Sequence, residues 1–492
     1  MEAAQLFPIA ASRRAWTARI VLALAIALAG LALYGHLRKP MPVYYGDQPR
    51  YLSIGSDLLN YGRFTNGAPA GGPPAERPPG MFNVPLYPAL IAILAHFDSR
   101  LAATAGCLSE HQSPACPNEL GILVPVQIGI AVATLLLLWC SALAVTGSEP
   151  VAWTALVLAA LGCGEYGDFV HLGITEMLNC FLFAAFSLSF YLALRTQSRA
   201  TAVGAGVLIG LCGLTRPAYA YLAYTLVALT ALGALGLWWQ GGRRVLRPLV
   251  GLGAALSLGA CLTLGPWLLR NELELGRFTI SNGYGGMILA QRVAYDAMTA
   301  REFIASWIYF LPDFGHSWAR AIFAPDWYVR LGWGEPGTYY ALGDQVLGPA
   351  TLAAAGSADA QVGYIIRTMV LPHPFKFALV TLPLIWRGLW FGKYFSVVCF
   401  PLLIASLSGE LRRRRFDLLL LTLPGLFMLV FQALVSVNTA RYNVTLIPSF
   451  AIGAALAFVA LFERIRRRGA PVGRVISGPE SPPSFPGRGS HL

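Results

Sequence analysis

Long apolar runs, separated by short basic or polar intervals, divide this 492-residue chain. Runs at 17–34, 120–145, 151–164, 172–194, 202–214, 218–239, 249–268, 396–407, 418–435 and 444–462 predict about ten membrane crossings, because ~20 apolar helical residues span the hydrocarbon layer. Two further apolar runs, 84–97 and 375–390, are short for a crossing and predict helices lying in the interface. The intervals 35–119 and 271–371 hold no convincing crossing, so each is expected to form a large loop. The fold class expected is therefore an all-α polytopic membrane protein with interfacial helices and loops on one side. Residues 1–468 form the integral membrane unit, and 469–492, rich in Pro, Gly and Ser, are expected to form a disordered cytoplasmic tail.

Composition agrees with that pattern: 56% of residues are hydrophobic and only 12% charged, which is too apolar for a soluble domain. The formal charge of +12 does not point to nucleic acid, because the arginines cluster between apolar runs. Arg13, Arg14 and Arg19, then Arg195 and Arg199, Arg243, Arg244 and Arg247, Arg412 to Arg415, and Arg464 to Arg468 fall in alternate connections. Cytoplasmic loops show that bias. It puts both chain ends in the cytoplasm and both large loops outside, as in a multi-pass inner (plasma) membrane protein. The absence of solenoid repeats and of an inverted pair of interrupted spans disfavours a transporter.

Six of the eight cysteines fall in or near apolar runs and are expected in the core. Cys107 and Cys116 share the first large loop, where an oxidising compartment permits a disulfide. There is no CxxC, HExxH or carboxylate-rich metal loop, so no structural metal is expected.

The candidate chemistry centres on residues 44–62, YYGDQPRYLSIGSDLLNYG. Asp47 stands where the chain leaves the first crossing, either as a reactive carboxylate or as the N-cap of a helix, for which Asp is a favoured residue. If a helix begins there, Arg50 and Tyr51 share its face. Glu176 enters the start of a crossing, where an ionisable group requires a partner. Arg216, Arg270 and Arg441 each fall at a predicted extracytoplasmic helix end. A guanidinium there suits a lipid phosphate, through bidentate charge-assisted bonds, or else snorkels to the interface. The aromatics crowding residues 307–340 fit sugar stacking or an interfacial belt.

Six stretches taken in order, GDQPRYLSIGSDLLNYGRF, RPPGMFNVPLYPALIAIL, HLGITEMLNCFLF, GLCGLTRPAYAYL, PWLLRNELELGRFTIS and TARYNVTLIPSF, resemble the GT-C superfamily of glycosyltransferases. The branch they resemble is that of the protein O-mannosyltransferases and the bacterial aminoarabinose transferase. The resemblance implies a polyprenyl-phosphate-linked sugar as donor and an extracytoplasmic acceptor. It gives Asp47 the role of catalytic base, and it makes Arg50, Tyr51, Glu176, Arg216, Arg270, Asn271, Arg441 and Tyr442 substrate-binding candidates. Gln48 departs from the Asp-Glu pair frequent in that family, and the family's soluble C-terminal domain has no counterpart. No cofactor is firmly implied, and a divalent cation is left open. A flippase of lipid-linked sugars and an oligosaccharide ligase are the alternatives.

One carboxylate meets the chemical need. A sugar phosphate leaves already stabilised as an anion, so only the attacking hydroxyl must lose a proton. A glycoside hydrolase, by contrast, needs a second carboxyl group to protonate its leaving alkoxide.

Overall fold

The computed structural model describes residues 13–37, 41–111, 113–239 and 246–469. Arg243, Arg244 and the tail beyond Gly469 lie outside the described residues. All regular structure among the described residues is helical, and the chain is an all-α polytopic membrane protein. Among the described residues, eight helices are long and apolar enough to cross a bilayer.

The first of these, α1 (Arg13–Leu37), leads into a compact loop built from α2 (Gln48–Tyr61), α3 (Leu86–Phe97) and α4 (Ser99–Glu110). Next come α5 (Leu123–Thr146), α6 (Glu149–Gly162), the short α7 (Glu165–Phe169), α8 (Glu176–Thr196), α9 (Arg199–Thr215), α10 (Ala218–Trp239) and α11 (Leu246–Leu275). The second large loop is a series of short helices from α12 (Tyr284–Ala294) to α17 (Ala358–Ile365). The chain then continues through α18 (Pro374–Gly388), α19 (Tyr394–Arg412), α20 (Asp417–Val435) and α21 (Ile447–Gly469). Between α17 and α18 the path bends by 105°, so the apolar run at 375–390 does not continue the preceding helix.

Two of the ten expected crossings are short. Helices α6 and α9 have 14 and 17 residues, roughly 21 and 25 Å at the usual rise. Each is wrapped by longer neighbours, α6 by α1, α5 and α21, and α9 by α8, α10 and α11. The α9–α11 seam depends on missing side chains: a Cβ at Gly206 would overlap the Leu256 carbonyl, and one at Gly259 the Val203 carbonyl. Small residues of this kind let membrane helices approach closely.

The expected loop 271–371 starts a turn later than the hydropathy suggested. Helix α11 continues past Asn271 because Arg270 pairs with Glu274 one turn on, at 2.7 Å, a stabilising i,i+4 arrangement. It stops at Gly276, whose φ of +65° is the left-handed conformation that ends helices.

The first loop has its own polar core. Asp57 and Arg77 are both buried and pair at 3.0 Å. Thr65 donates to the Asp57 Oδ2 at 2.5 Å, and Ser109 to its Oδ1 at 2.6 Å. A disulfide joining Cys107 to Cys116 closes the segment that contains Ser109. The loop is thus a folded unit of its own, and α2 is fixed within it against α3 and α4.

Candidate functional site

Four separate parts of the chain meet at one end of the helix bundle. Asp47 immediately precedes α2, after a turn in which Tyr45 N–H donates to the Pro42 carbonyl at 3.1 Å and Gly46 takes φ +70°. It occupies the N-cap position, yet its side chain makes no cap hydrogen bond. Its Oδ2 instead accepts from Arg441 Nη2 at 2.6 Å, 394 residues along the chain. Asp47 thus stands at the cap position with helical φ −83°, ψ −14°, and its carboxylate is turned elsewhere.

Gln48 holds this turn in place. Its amide donates to the carbonyls of Pro42 (3.1 Å) and Tyr45 (3.4 Å) and accepts from the Gly173 N–H at 2.8 Å. A carboxylate could not supply the two donated bonds. Gly173 belongs to the turn that leads into α8, whose first residue is Glu176. An acidic residue in a helix's first turn is favoured by the helix dipole. Glu176 is 1% exposed, and its Oε1 is shared by Arg441 Nε at 3.0 Å and Arg216 Nη1 at 3.2 Å. Its Oε2 is buried with no hydrogen-bond partner among the described residues.

Arg216 is presented by the end of α9. Pro217 cannot follow a residue in helical conformation without a clash, and Arg216 accordingly adopts extended φ −144°, ψ 120°. Arg441 and Tyr442 lie in a 3-10 turn, Ala440–Leu446, set up by two asparagines. Asn438 takes φ +46°, a conformation Asn tolerates better than most residues, and its amide donates to the Leu384 carbonyl at 2.9 Å. Asn443 donates to Asn438 at 2.7 Å. A side chain at Gly388 would collide with both amides. Arg216 and Arg441 flank the Tyr442 ring, 5.2 and 5.9 Å from its centroid.

Of these residues, Asp47, Arg216 and Tyr442 line an open cleft, together with Arg50, Tyr51, Phe82, Asn83, Thr175, Tyr284, Ile288, Gln432 and Ser436, among others. The side chains of Asp47 and Arg441 are 54% and 38% exposed. Burial alone would push the Asp47 carboxyl up, but Arg441, Arg216 and Arg50 outweigh it and hold the group below the ordinary carboxylate value. Burial, with the Asp47 charge, pushes the Tyr51 phenol up to about 12, so it stays a neutral donor at physiological pH. Arg50 lies over the Phe82 ring at 4.4 Å and has no ion-pair partner among the described residues.

Arg270 and Asn271 do not line this cleft. Arg270 donates to the carbonyls of Gly80 (2.7 Å) and Phe64 (3.2 Å) and to Asn271 Oδ1 (3.0 Å), and Asn271 donates to the Thr279 carbonyl at 2.8 Å. Their work is to fasten the first loop, whose residues Phe82 and Asn83 do line the cleft. The sequence reading missed several cleft residues that carried a signal. Gln432, in a largely apolar helix, and Ser436, just past its end, are polar positions four residues apart, and Thr175 and Asn83 lie inside stretches already singled out. Tyr284 and Ile288 carried none. The loop aromatics stack on one another, Trp333 on Tyr340 at 3.8 Å and Tyr309 on His316 at 4.3 Å. No group of three or more His, Cys, Asp or Glu among the described residues is arranged to hold a metal ion.

Among solved structures the chain is similar to the apo oligosaccharyltransferase of Archaeoglobus fulgidus, at 16% identity and a TM-score of 0.48, over 91% of this chain and 51% of that one. The chain thus spans about half the length of that structure. No family model matches the chain, and no curated protein matches it either.

Proposed function

We propose that the cleft is the active site of a membrane glycosyltransferase that moves a sugar from a polyprenyl-phosphate carrier to an extracytoplasmic acceptor. The observation that carries this reading is the ion-pair network joining Asp47, Glu176, Arg216 and Arg441 from four distant segments, with Asp47 and Arg216 lining one open cleft. Two carboxyl groups and three guanidiniums at a span end suit an anionic lipid-linked substrate held at the membrane surface.

In this chemistry the acceptor hydroxyl attacks the anomeric carbon as the bond from that carbon to the phosphate oxygen breaks. The configuration inverts, the bonding pair leaves with the polyprenyl phosphate, and the hydroxyl proton passes to Asp47. Asp47 Oδ2 is held by Arg441, and Oδ1, with no bond among the described residues, is the atom that receives the proton. Arg50 and Arg216 face the departing phosphate, where charge builds in the transition state. Glu176 keeps Arg216 and Arg441 oriented and takes no proton.

The test compares cell envelopes of a strain carrying the wild-type chain with one carrying Asp47→Asn, by mass spectrometry of lipids, glycans and proteins. The expected result is a fixed mass deficit of one sugar on one class of molecule. Identical envelopes, with the variant present in the membrane at wild-type level, would remove the assignment.

A further inference from the structure

At the end of the bundle opposite the cleft, a second recess combines unpaired positive charge with an apolar groove. Helix α9 runs from Arg199 at that end to the cleft at Arg216, and its 17 residues measure roughly 25 Å, close to the thickness of a bilayer's hydrocarbon layer. The mouth of the recess is lined by Gln197, Arg199, Arg247, Pro248 and Leu252. Arg199 lies against α11 where Gly251 offers no side chain: a Cβ there would sit 3.5 Å from Arg199 Nη2. Arg247 is one turn back on the same helix face, so the two guanidiniums share one stretch of α11.

Like charges so placed repel unless an anion bridges them. Neither arginine has a carboxylate partner among the described residues. The contrast is Arg195 at the same end, which pairs with Asp417 at 3.3 Å. The N-termini of α9 and α11 both open at this end, and their dipoles favour an anion as well.

Leu252 also lines an adjoining open groove between α8, α9, α10 and α11, bordered by Phe190, Leu194, Leu226, Leu249 and Leu256. Its polar side chain, Thr230, spends its hydroxyl on the Leu226 carbonyl at 2.7 Å, so the groove offers hydrocarbon contact alone. We propose that the recess binds one anionic phospholipid, its headgroup phosphate between Arg199 and Arg247 and an acyl chain in the groove. The continuity of basic mouth and apolar groove through Leu252 selects a lipid over a soluble anion. This site is independent of the chemistry assigned to the cleft.

The test is native mass spectrometry of the full chain in detergent, titrated with phosphatidylglycerol and with phosphatidylcholine of the same acyl chains. One phosphatidylglycerol is expected to be retained with a preference of about tenfold or more, given the usual contribution of basic residues at an anionic surface. The R199Q/R247Q double variant abolishes that preference. Leu249→Trp, at a half-exposed position, fills the groove and weakens retention of long-chain lipid while the charge is unchanged. Arg195→Gln leaves the preference intact. A preference that survives the double variant, or that falls equally with Arg195→Gln, overturns the proposal in favour of unspecific surface charge. Displacement of the lipid by inorganic phosphate alone overturns it in favour of a soluble anion.

Discussion

Two aspartates, one at the N-cap of α2 and one within it, are each paired with an arginine and have opposite characters. Asp57 is fully buried with Arg77, and both of its carboxylate oxygens are occupied, by Arg77, Ser109 and Thr65. Asp47, ten positions earlier, is half exposed, and only its Oδ2 is engaged. The first pair is closed to chemistry and fixes the loop; the second leaves an oxygen facing a cleft. If Asp47 is the base proposed above, what separates a structural carboxylate from a reactive one is the number of its lone pairs already spoken for, more than the presence of a cationic partner.

The comparison is tested most strongly by removing each carboxylate's charge in turn. Asp47→Asn should lower transfer by ~10² to 10⁴, the usual contribution of a positioned base, while thermal unfolding of the purified protein stays at the wild-type temperature. Asp57→Asn should do the reverse. It leaves Arg77 buried without a counter-charge, a loss of about 3–5 kcal/mol, read as a lower unfolding temperature with turnover per folded molecule retained. Equal unfolding temperatures for the two variants would erase the distinction.

Arg50→Gln should raise the apparent KM for the lipid-linked donor roughly tenfold with little change in kcat, as expected for one lost charge-assisted contact. Arg270→Gln, whose target is bonded to loop carbonyls, should lower protein stability and leave donor KM within about threefold. A donor effect larger for Arg270 than for Arg50 would move the phosphate site away from α2.

The smallest effect is on pH. Because the arginines hold Asp47 below the ordinary carboxylate value, its ionised form persists into acid, and turnover should fall only as pH drops through that lowered pKa. Arg441→Gln removes the largest cationic influence, so the acid limb should move to higher pH. A pH profile unchanged in shape and position would mean that Asp47 is not the group whose ionisation limits turnover.

Much of the architecture was legible in the sequence because a hydrocarbon environment leaves few alternatives to apolar helices. The run 218–239 became α10 (Ala218–Trp239) residue for residue. The short crossings needed neighbours that hydropathy does not show, since Gly206 and Gly259 matter only once α9 and α11 face each other. In the cleft, Asp47, Glu176, Arg216 and Arg441 were legible as charges at span ends. Arg270 carried the same signal and had a different fate, because carbonyls some 190 residues earlier captured it. Asp57 and Arg77 gave no local sign at all: nothing near either residue reveals that the chain between them folds back to bury both.

Gln48 also has a bearing on how the cleft discriminates charge. Being neutral, it leaves Asp47 and Glu176 as the negative groups set against Arg50, Arg216 and Arg441, a surplus of one positive charge. A sugar phosphodiester carries one negative charge and balances that surplus. The phosphate monoester released by transfer carries up to two, one more than the cleft balances once Asp47 has given up the proton it took. Glutamate at position 48 would have cancelled the surplus before any substrate arrived, so in the proposed transfer the amide biases the cleft toward capturing the donor and letting go of the spent carrier.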